Sequence, residues 1–377
     1  LARDESGMSY VFIGMGLMAF LSASMLAIDV GMLMTARSQA QNSADAGALA
    51  GATALLYDDY DDRSPTGPAV QNARQAATFN QVVGSNVSVK VEDVEFRADP
   101  TGEMNRVRVT VRRTASRGNP VSTLIASYFG VRTTDIGAVA MAEASPANAM
   151  TCVKPFTIPD RWIEGQTGLP SQPDDSFDYV DKKGNAVNPQ DIYHGDADSD
   201  SYTGYNAERD KGMLITLKAN NDTKIAPSFY YPWNMEGEDS GADDYRWNIG
   251  NCNTQIMGFG EIFEAEPGNM VGPTQQGMED LIARDPNAYW GSNNEPVSSM
   301  KPSPRVVAIP LFDPIYYAEG KTQGRNASLK FVNYLGFFIE RMQGNEVVGR
   351  ITPIGGLRRG VGPAPKNAFP KAIRLVE

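Results

Sequence analysis

Residues 7 to 56, GMSYVFIGMGLMAFLSASMLAIDVGMLMTARSQAQNSADAGALAGATALL, constrain this chain more than any other stretch. From Met8 to Ile28 no residue is charged, and about 20 apolar residues are what a helix needs to cross a bilayer core. Pro is absent throughout, so nothing in the stretch forces a break. From Thr35 to Leu56 the composition shifts toward Ala, the strongest helix former. One helix over all 50 residues would run roughly 75 Å at 1.5 Å per residue. That is a stalk rather than a simple anchor, with a greasy lower half and a small-residue upper half.

Ala36, Ala40, Ala44, Ala48 and Ala52 recur every four positions, with Gly47 and Gly51 on the neighbouring row. Small side chains let another backbone come close. The partner is either the chain's own globular part or another copy, and the spacing alone leaves both open. Asp29, at the top of the apolar run, is costly in hydrocarbon and is expected at the membrane interface or against another subunit. A signal peptide has an apolar core of about 7–15 residues followed by a cleavage site. The run here is longer and a helical pattern continues from it, so it reads as a retained segment.

With 377 residues the chain has room for two domains beyond the helix. Its net charge of −11, pI near 4.8 and lack of a dense basic cluster exclude the electrostatic footprint of a nucleic-acid binder. The 24 Pro and 36 Gly point to a loop-rich, largely β globular part. Cys152 and Cys252 are the only cysteines, and in an exported chain such a pair predicts a disulfide. It would close a 100-residue span, worth up to about 4–5 kcal/mol by chain entropy.

The segment YDDYDDRSPTGP (57–68) ends the helix as a solvated linker. Residues 69–83 place Val70, Ala73, Ala77 and Val82 at helical spacing. Residues 87–96 and 105–113 alternate as half-buried strands do, a short helix is expected over 121–130, and another strand over 133–144. Past residue 150 the chain becomes rich in Pro, Asp, Asn and aromatics. VVAIPLF (306–312) and LKFVNYLGFFI (329–339) read as buried strands, while the blocks around 260–290 read as turns.

Asp196, Asp198 and Asp200 match the first three ligand positions of an EF-hand loop, but Ser201 stands where Gly is needed and Ala207 where Glu is needed. A non-standard Ca²⁺ site and a solvated acidic loop remain the two readings; no other cofactor is indicated. His194 is the only histidine, so a triad or a two-cysteine zinc site has a single candidate, and no GxSxG or HExxH occurs. An exported hydrolase using a carboxylate pair is the least favoured class, because nothing singles out a pair.

Arg3, Asp4, Glu5 and Gly7, the apolar run, then Asp29, Val30, Gly31, the run 37–41, Asn42, Ala44, Asp45, Ala46 and the Ala/Gly stretch after them resemble the Tad/Flp pilus-assembly TadE/TadG-like family. Pro267 to Met270, Gly272 to Thr274, Gly277, Ser303 to Arg305, Phe312 to Pro314 and Phe337 to Glu340 are similar to the C-terminal region of TadG-like proteins. The metal motif of the von Willebrand A domain found in some of them, AspxSerxSer, is missing. Glu5 resembles the glutamate through which type IV pilins contact a neighbouring subunit, though Arg3 and Asp4 depart from the pilin pattern. The resemblance implies an α+β chain: a membrane or filament-core helix over 1–56, a small pilin-like α/β unit over 57–146 and a β-rich acidic head over 147–377. It implies a non-enzymatic pilin-like subunit of an extracellular Tad/Flp pilus, with an inner-membrane precursor. The alternative is a periplasm-facing, inner-membrane assembly factor. Partners would be copies of itself and other pilus components, through Glu5, Asp29, Ala40, Ala44, Gly47 and Gly51.

Overall fold

The computed structural model describes residues 6–57, 62–100, 102–181, 183–220, 224–235, 241–300, 302–322, 328–360 and 364–376. The chain forms two compact units, Leu1–Ala144 with Ile373–Glu377, and Ser145–Ala372. It is α+β, with the long N-terminal helix and the β-rich C-terminal region expected from sequence.

In the first unit, α1 runs unbroken over Ser6–Tyr57. Helix α2, Pro68–Phe79, is entered from an extended Gly67 with Pro68 in its first turn, where the missing N–H costs nothing. It stops at Phe79, earlier than the spacing suggested: Asn80 is extended, and Val82 pairs in a two-residue ladder with Ser85. Strands β1 (Val94–Arg97), β2 (Arg106–Arg113) and β3 (Ile136–Pro146) are antiparallel neighbours, and the C-terminal strand Lys371–Leu375 joins the sheet beside β3. Val107, Val109 and Val111 of β2 are fully buried in a core made chiefly of Ala and Val. Residue size explains that core, because only small side chains let two helices and a sheet approach this closely.

Two expected elements in this unit are interrupted. The strand over 87–96 is broken by a single 3₁₀ turn, Val91–Asp93. Its buried Asp93 accepts from the Lys90 N–H (2.9 Å) and pairs with Arg117 (2.8 Å). The helix expected over 121–130 is one 3₁₀ turn, Ala126–Phe129, at the tip of a finger whose sides, Val121–Ser122 and Thr133–Thr134, pair antiparallel.

The second unit is built on strands β4 (Phe156–Pro159), β5 (Leu214–Ala219), β6 (Phe229–Pro232), β7 (Ile262–Glu264), β8 (Val306–Phe312), β9 (Ser328–Gln343) and β10 (Glu346–Thr352). Their order is β7-β9-β8-β4-β6-β5-β10, and β9 also pairs with β10. Six strands therefore close into a barrel, with β7 added outside it. Closure leaves no open edge among the six. The β4–β8 and β5–β6 pairs are parallel and the others antiparallel. From Phe331 to Ile339 every residue of β9 is buried, which is why it reads as a continuous apolar run: both faces are covered.

Helices α3 (Ala242–Gly250) and α4 (Val271–Arg284) belong to the same unit. Helix α4 stands where turns were expected. Its buried Thr274, Gly277, Met278 and Leu281 hold helical spacing, and a Cβ on Gly277 would lie 2.6 Å from Ile249 Cγ2 of α3. The glycine is there for close packing, not for a turn.

Candidate functional site

The two halves of α1 sit in opposite surroundings. Every residue from Ser9 to Ala23 is exposed, and between Tyr10 and Met34 thirteen large apolar side chains are exposed. Burying one such side chain is worth about 1.5–3 kcal/mol. The unburied stretch therefore forgoes on the order of 20–40 kcal/mol, against a whole-domain stability of about 5–15 kcal/mol. Side chains of this kind on all sides of a helix call for an apolar medium or other helices around it. The helix is long and apolar enough to cross a membrane.

The upper half is enclosed. Ala36, Ala40, Ala44, Ala48 and Ala52 are fully buried or nearly so. A Cβ on Gly47 would lie 2.9 Å from the Ala73 carbonyl oxygen of α2, and one on Gly51 2.7 Å from Val107 Cγ1 of β2. The Ser43 hydroxyl donates to the Ala77 carbonyl across the same contact. The small-residue face thus meets the chain's own α2 and β2. Ala40, Ala44, Gly47 and Gly51, expected against either the chain's own globular part or another copy, pack within this subunit.

Asp29 is also engaged internally. It is 2% exposed, although Ile28 and Val30 beside it are exposed. Its Oδ1 accepts from the Leu124 N–H (2.8 Å), and its Oδ2 from those of Ile125 (2.9 Å) and Ala126 (2.6 Å). The three amides open the 3₁₀ turn of the finger, so the carboxylate fills the role of an N-cap supplied from a distant element. Its hydrogen-bond partners are 95 to 97 residues along the same chain. Glu5 lies outside the described residues.

Residues 7–54 match the Tad family model, described as "Putative Flp pilus-assembly TadE/G-like". Residues 7–54 are thus similar to a TadE/G-like segment. The matched segment covers the exposed half of α1 and nearly all of its enclosed half. Residues 55–377 lie outside the match. No curated protein and no solved structure matches the chain.

The other sequence-marked groups of the chain are structural in their contacts. Cys152 and Cys252 form the disulfide. Two residues on, the buried Lys154 ammonium donates to the carbonyls of Asn248 (3.3 Å), Ile249 (2.6 Å) and Asn251 (2.9 Å), closing the C-terminal end of α3. Burial, helped by the nearby Arg284 charge, pulls this lysine down to about 7. Sequence reasoning passed over it; the signal was a single lysine between Val153 and Pro155-Phe156, in an otherwise apolar run.

The acidic stretch is tied into the fold. Asp160, wholly buried, accepts from the hydroxyls of Tyr202 (2.8 Å) and Tyr193 (3.2 Å) and from the Arg161 and Tyr205 N–H groups. Burial raises its carboxyl to about 6 against the pull of those donors. Asp191 accepts from the Gly165 and Asp178 N–H groups, and Asp210 pairs with Arg161 and Arg209. Asp196, Asp198 and Asp200 do not converge. Asp196 accepts from the Asp198 N–H (3.0 Å), Asp198 from the Lys366 N–H (3.2 Å), and Asp200 pairs with the Lys366 ammonium (2.5 Å). Among the described residues no group of three or more His, Cys, Asp or Glu is placed to hold a metal ion. These three carboxylates hold a turn and a lysine.

Proposed function

We propose that this chain is a structural, non-enzymatic, pilin-like subunit of a Tad/Flp-type extracellular pilus. The lower half of α1 holds it in the inner membrane before assembly and packs against the same half of other copies, or of other pilus components, in the filament. One observation carries the reading: a single unbroken helix is apolar and exposed on all sides over residues 9–23 and is part of a folded core over residues 36–56. Such a helix can pass from lipid to a helix bundle without refolding the unit it carries, because both environments are apolar. Contacts between copies therefore run through the exposed side chains of residues 9–34, and Glu5, near them in sequence, joins these contacts. Ala40, Ala44, Gly47 and Gly51 support the subunit from within.

The family description itself names pilus assembly, and it favours a second reading in which the chain stays in the membrane as an anchored assembly factor. Stoichiometry separates the two. Filaments sheared from cells should contain this chain as a main component when quantified by mass spectrometry. Recovery only in the membrane fraction would overturn the filament reading in favour of the anchored factor.

A further inference from the structure

The finger over residues 121–134 is a built feature with no role so far. Its sides pair through Val121–Thr134 and Ser122–Thr133, and the Thr123 N–H donates to the Arg132 carbonyl (3.1 Å). Its tip is held on α1 by the three amides that Asp29 accepts. The tip nonetheless exposes Leu124 (56%), Tyr128 (86%) and Val131 (51%). Residues 124 to 134 contain no acid and one base, the exposed Arg132, in a chain of net charge −11.

Position along α1 indicates what covers these side chains. Ser9 to Ile28 is 20 residues, about 30 Å of helix, which matches the hydrocarbon thickness of a bilayer. Asp29 then stands at the hydrocarbon boundary, and the headgroup layer adds about 5–8 Å beyond it. The next charged residue, Arg37, is eight positions on, about 12 Å higher. The finger tip is fixed to the helix at the boundary itself. Tyr, with an apolar ring and a polar hydroxyl, is a side chain enriched at that depth. A bare carboxylate there is expensive, and the finger covers it with backbone donors.

We infer that the finger is a lipid-contacting foot: Leu124, Tyr128 and Val131 enter the headgroup layer of the bilayer that α1 crosses, and Asp29 sets their depth. The inference rests on the reading that the lower half of α1 resides in a membrane. Arg132 beside the tip suits a leaflet that contains anionic lipid. The foot sets how far the helix can slide through the bilayer and how the first unit stands on its surface.

Because Cys152 and Cys252 are bonded to each other, single cysteines can be spin-labelled specifically. The full chain carrying Leu124→Cys, Tyr128→Cys, Met18→Cys or Thr53→Cys is reconstituted into vesicles of phosphatidylethanolamine and phosphatidylglycerol. Collision rates are read with oxygen, which partitions into lipid, and with a water-soluble nickel chelate. The oxygen-to-chelate ratio at 124 and 128 should exceed that at Thr53, an exposed position on the otherwise enclosed upper helix, several-fold and fall below that at Met18. Adding Asp29→Ala to Tyr128→Cys should return the ratio toward the Thr53 value. A water-like ratio at 124 and 128 with a lipid-like Met18 overturns the foot and leaves the membrane reading standing. Shielding of 124 and 128 from both reagents means protein covers the tip, which also overturns it. A water-like Met18 removes the membrane reading itself.

Discussion

Residues 9–34 and 36–56 of α1 share one unbroken backbone, yet large side chains such as Phe12, Ile13, Leu17 and Phe20 lie outside in the first and the Ala row lies inside in the second. Hydrophobicity alone would bury Phe12, Ile13, Leu17 and Phe20 before Ala44 or Gly47. The fold does the reverse because burial needs a partner surface, and only a face of Ala and Gly lets α2 and β2 close on the helix. A second contrast reinforces the first. The second unit fills its core with Trp162, Trp233, Phe156, Phe312 and Phe331, so large residues are freely buried where a barrel and its loops supply the space. The exposed half of α1 is therefore not a failure of packing capacity in this chain. Among the described residues no surface covers it.

The sharpest way to break the comparison is to enlarge the small face. Gly51→Leu combined with Gly47→Leu forces side chains onto Val107 and onto the backbone oxygen of Ala73, and a backbone atom cannot swing away. Overpacking typically costs about 1–3 kcal/mol at one site, so the pair should destabilise the first unit by about 3 kcal/mol or more. Denaturant unfolding of the detergent-solubilised chain, followed by probes in the first unit, measures it. A midpoint equal to the parent's would mean that the upper half is not the enclosed core described above. Loss of filaments in this variant would report folding, not a broken subunit contact.

A smaller and more local effect is expected at the junction. Asp29→Ala strands three amide donors, at a cost of about 1–3 kcal/mol. The change should appear as faster hydrogen exchange at Leu124, Ile125 and Ala126, by about tenfold or more, with exchange in β2 unchanged. Asp29→Asn keeps one acceptor oxygen and should fall between. Unaltered exchange in both variants would mean that Asp29 does not hold the finger.

These positions also show what a sequence can and cannot disclose. The long helix was legible because its signals are local: an uncharged run, no Pro, abundant Ala. The four-residue repeat from Ala36 to Ala52 disclosed a close-approach face, but not which helix approaches, since α2 and a neighbouring copy would demand the same small residues. Asp29 was conspicuous by its cost, yet its partner lies near residue 125, and no local pattern points there. Helix α4 was missed although Thr274, Gly277, Met278 and Leu281 keep helical spacing, because Gly272, Pro273 and Gly277 read as turn residues. Gly277 is required by contact with Ile249, a reason that exists only in three dimensions. The acidic triplet left two readings open: Asp196, Asp198 and Asp200 share an EF-hand ligand spacing, and Lys366, far along the chain, engages two of them.

The smallest stability effect should come from the same Gly→Leu change made in the lower half. A Cβ at Gly14 or Gly16 meets nothing within 4 Å, and replacing an exposed helical Gly with Leu gains up to about 1 kcal/mol of helix propensity. Gly14→Leu should therefore leave the unfolding midpoint of the first unit unchanged or slightly raised. Any loss of assembly in this variant must come from outside the subunit, where the added side chain would push back a neighbouring helix. Assembly lost with the fold intact would locate the contact between copies on the lower half, as the division of α1 requires. Assembly retained in Gly14→Leu, with the fold intact, would leave that stretch to lipid alone and favour a chain that remains in the membrane.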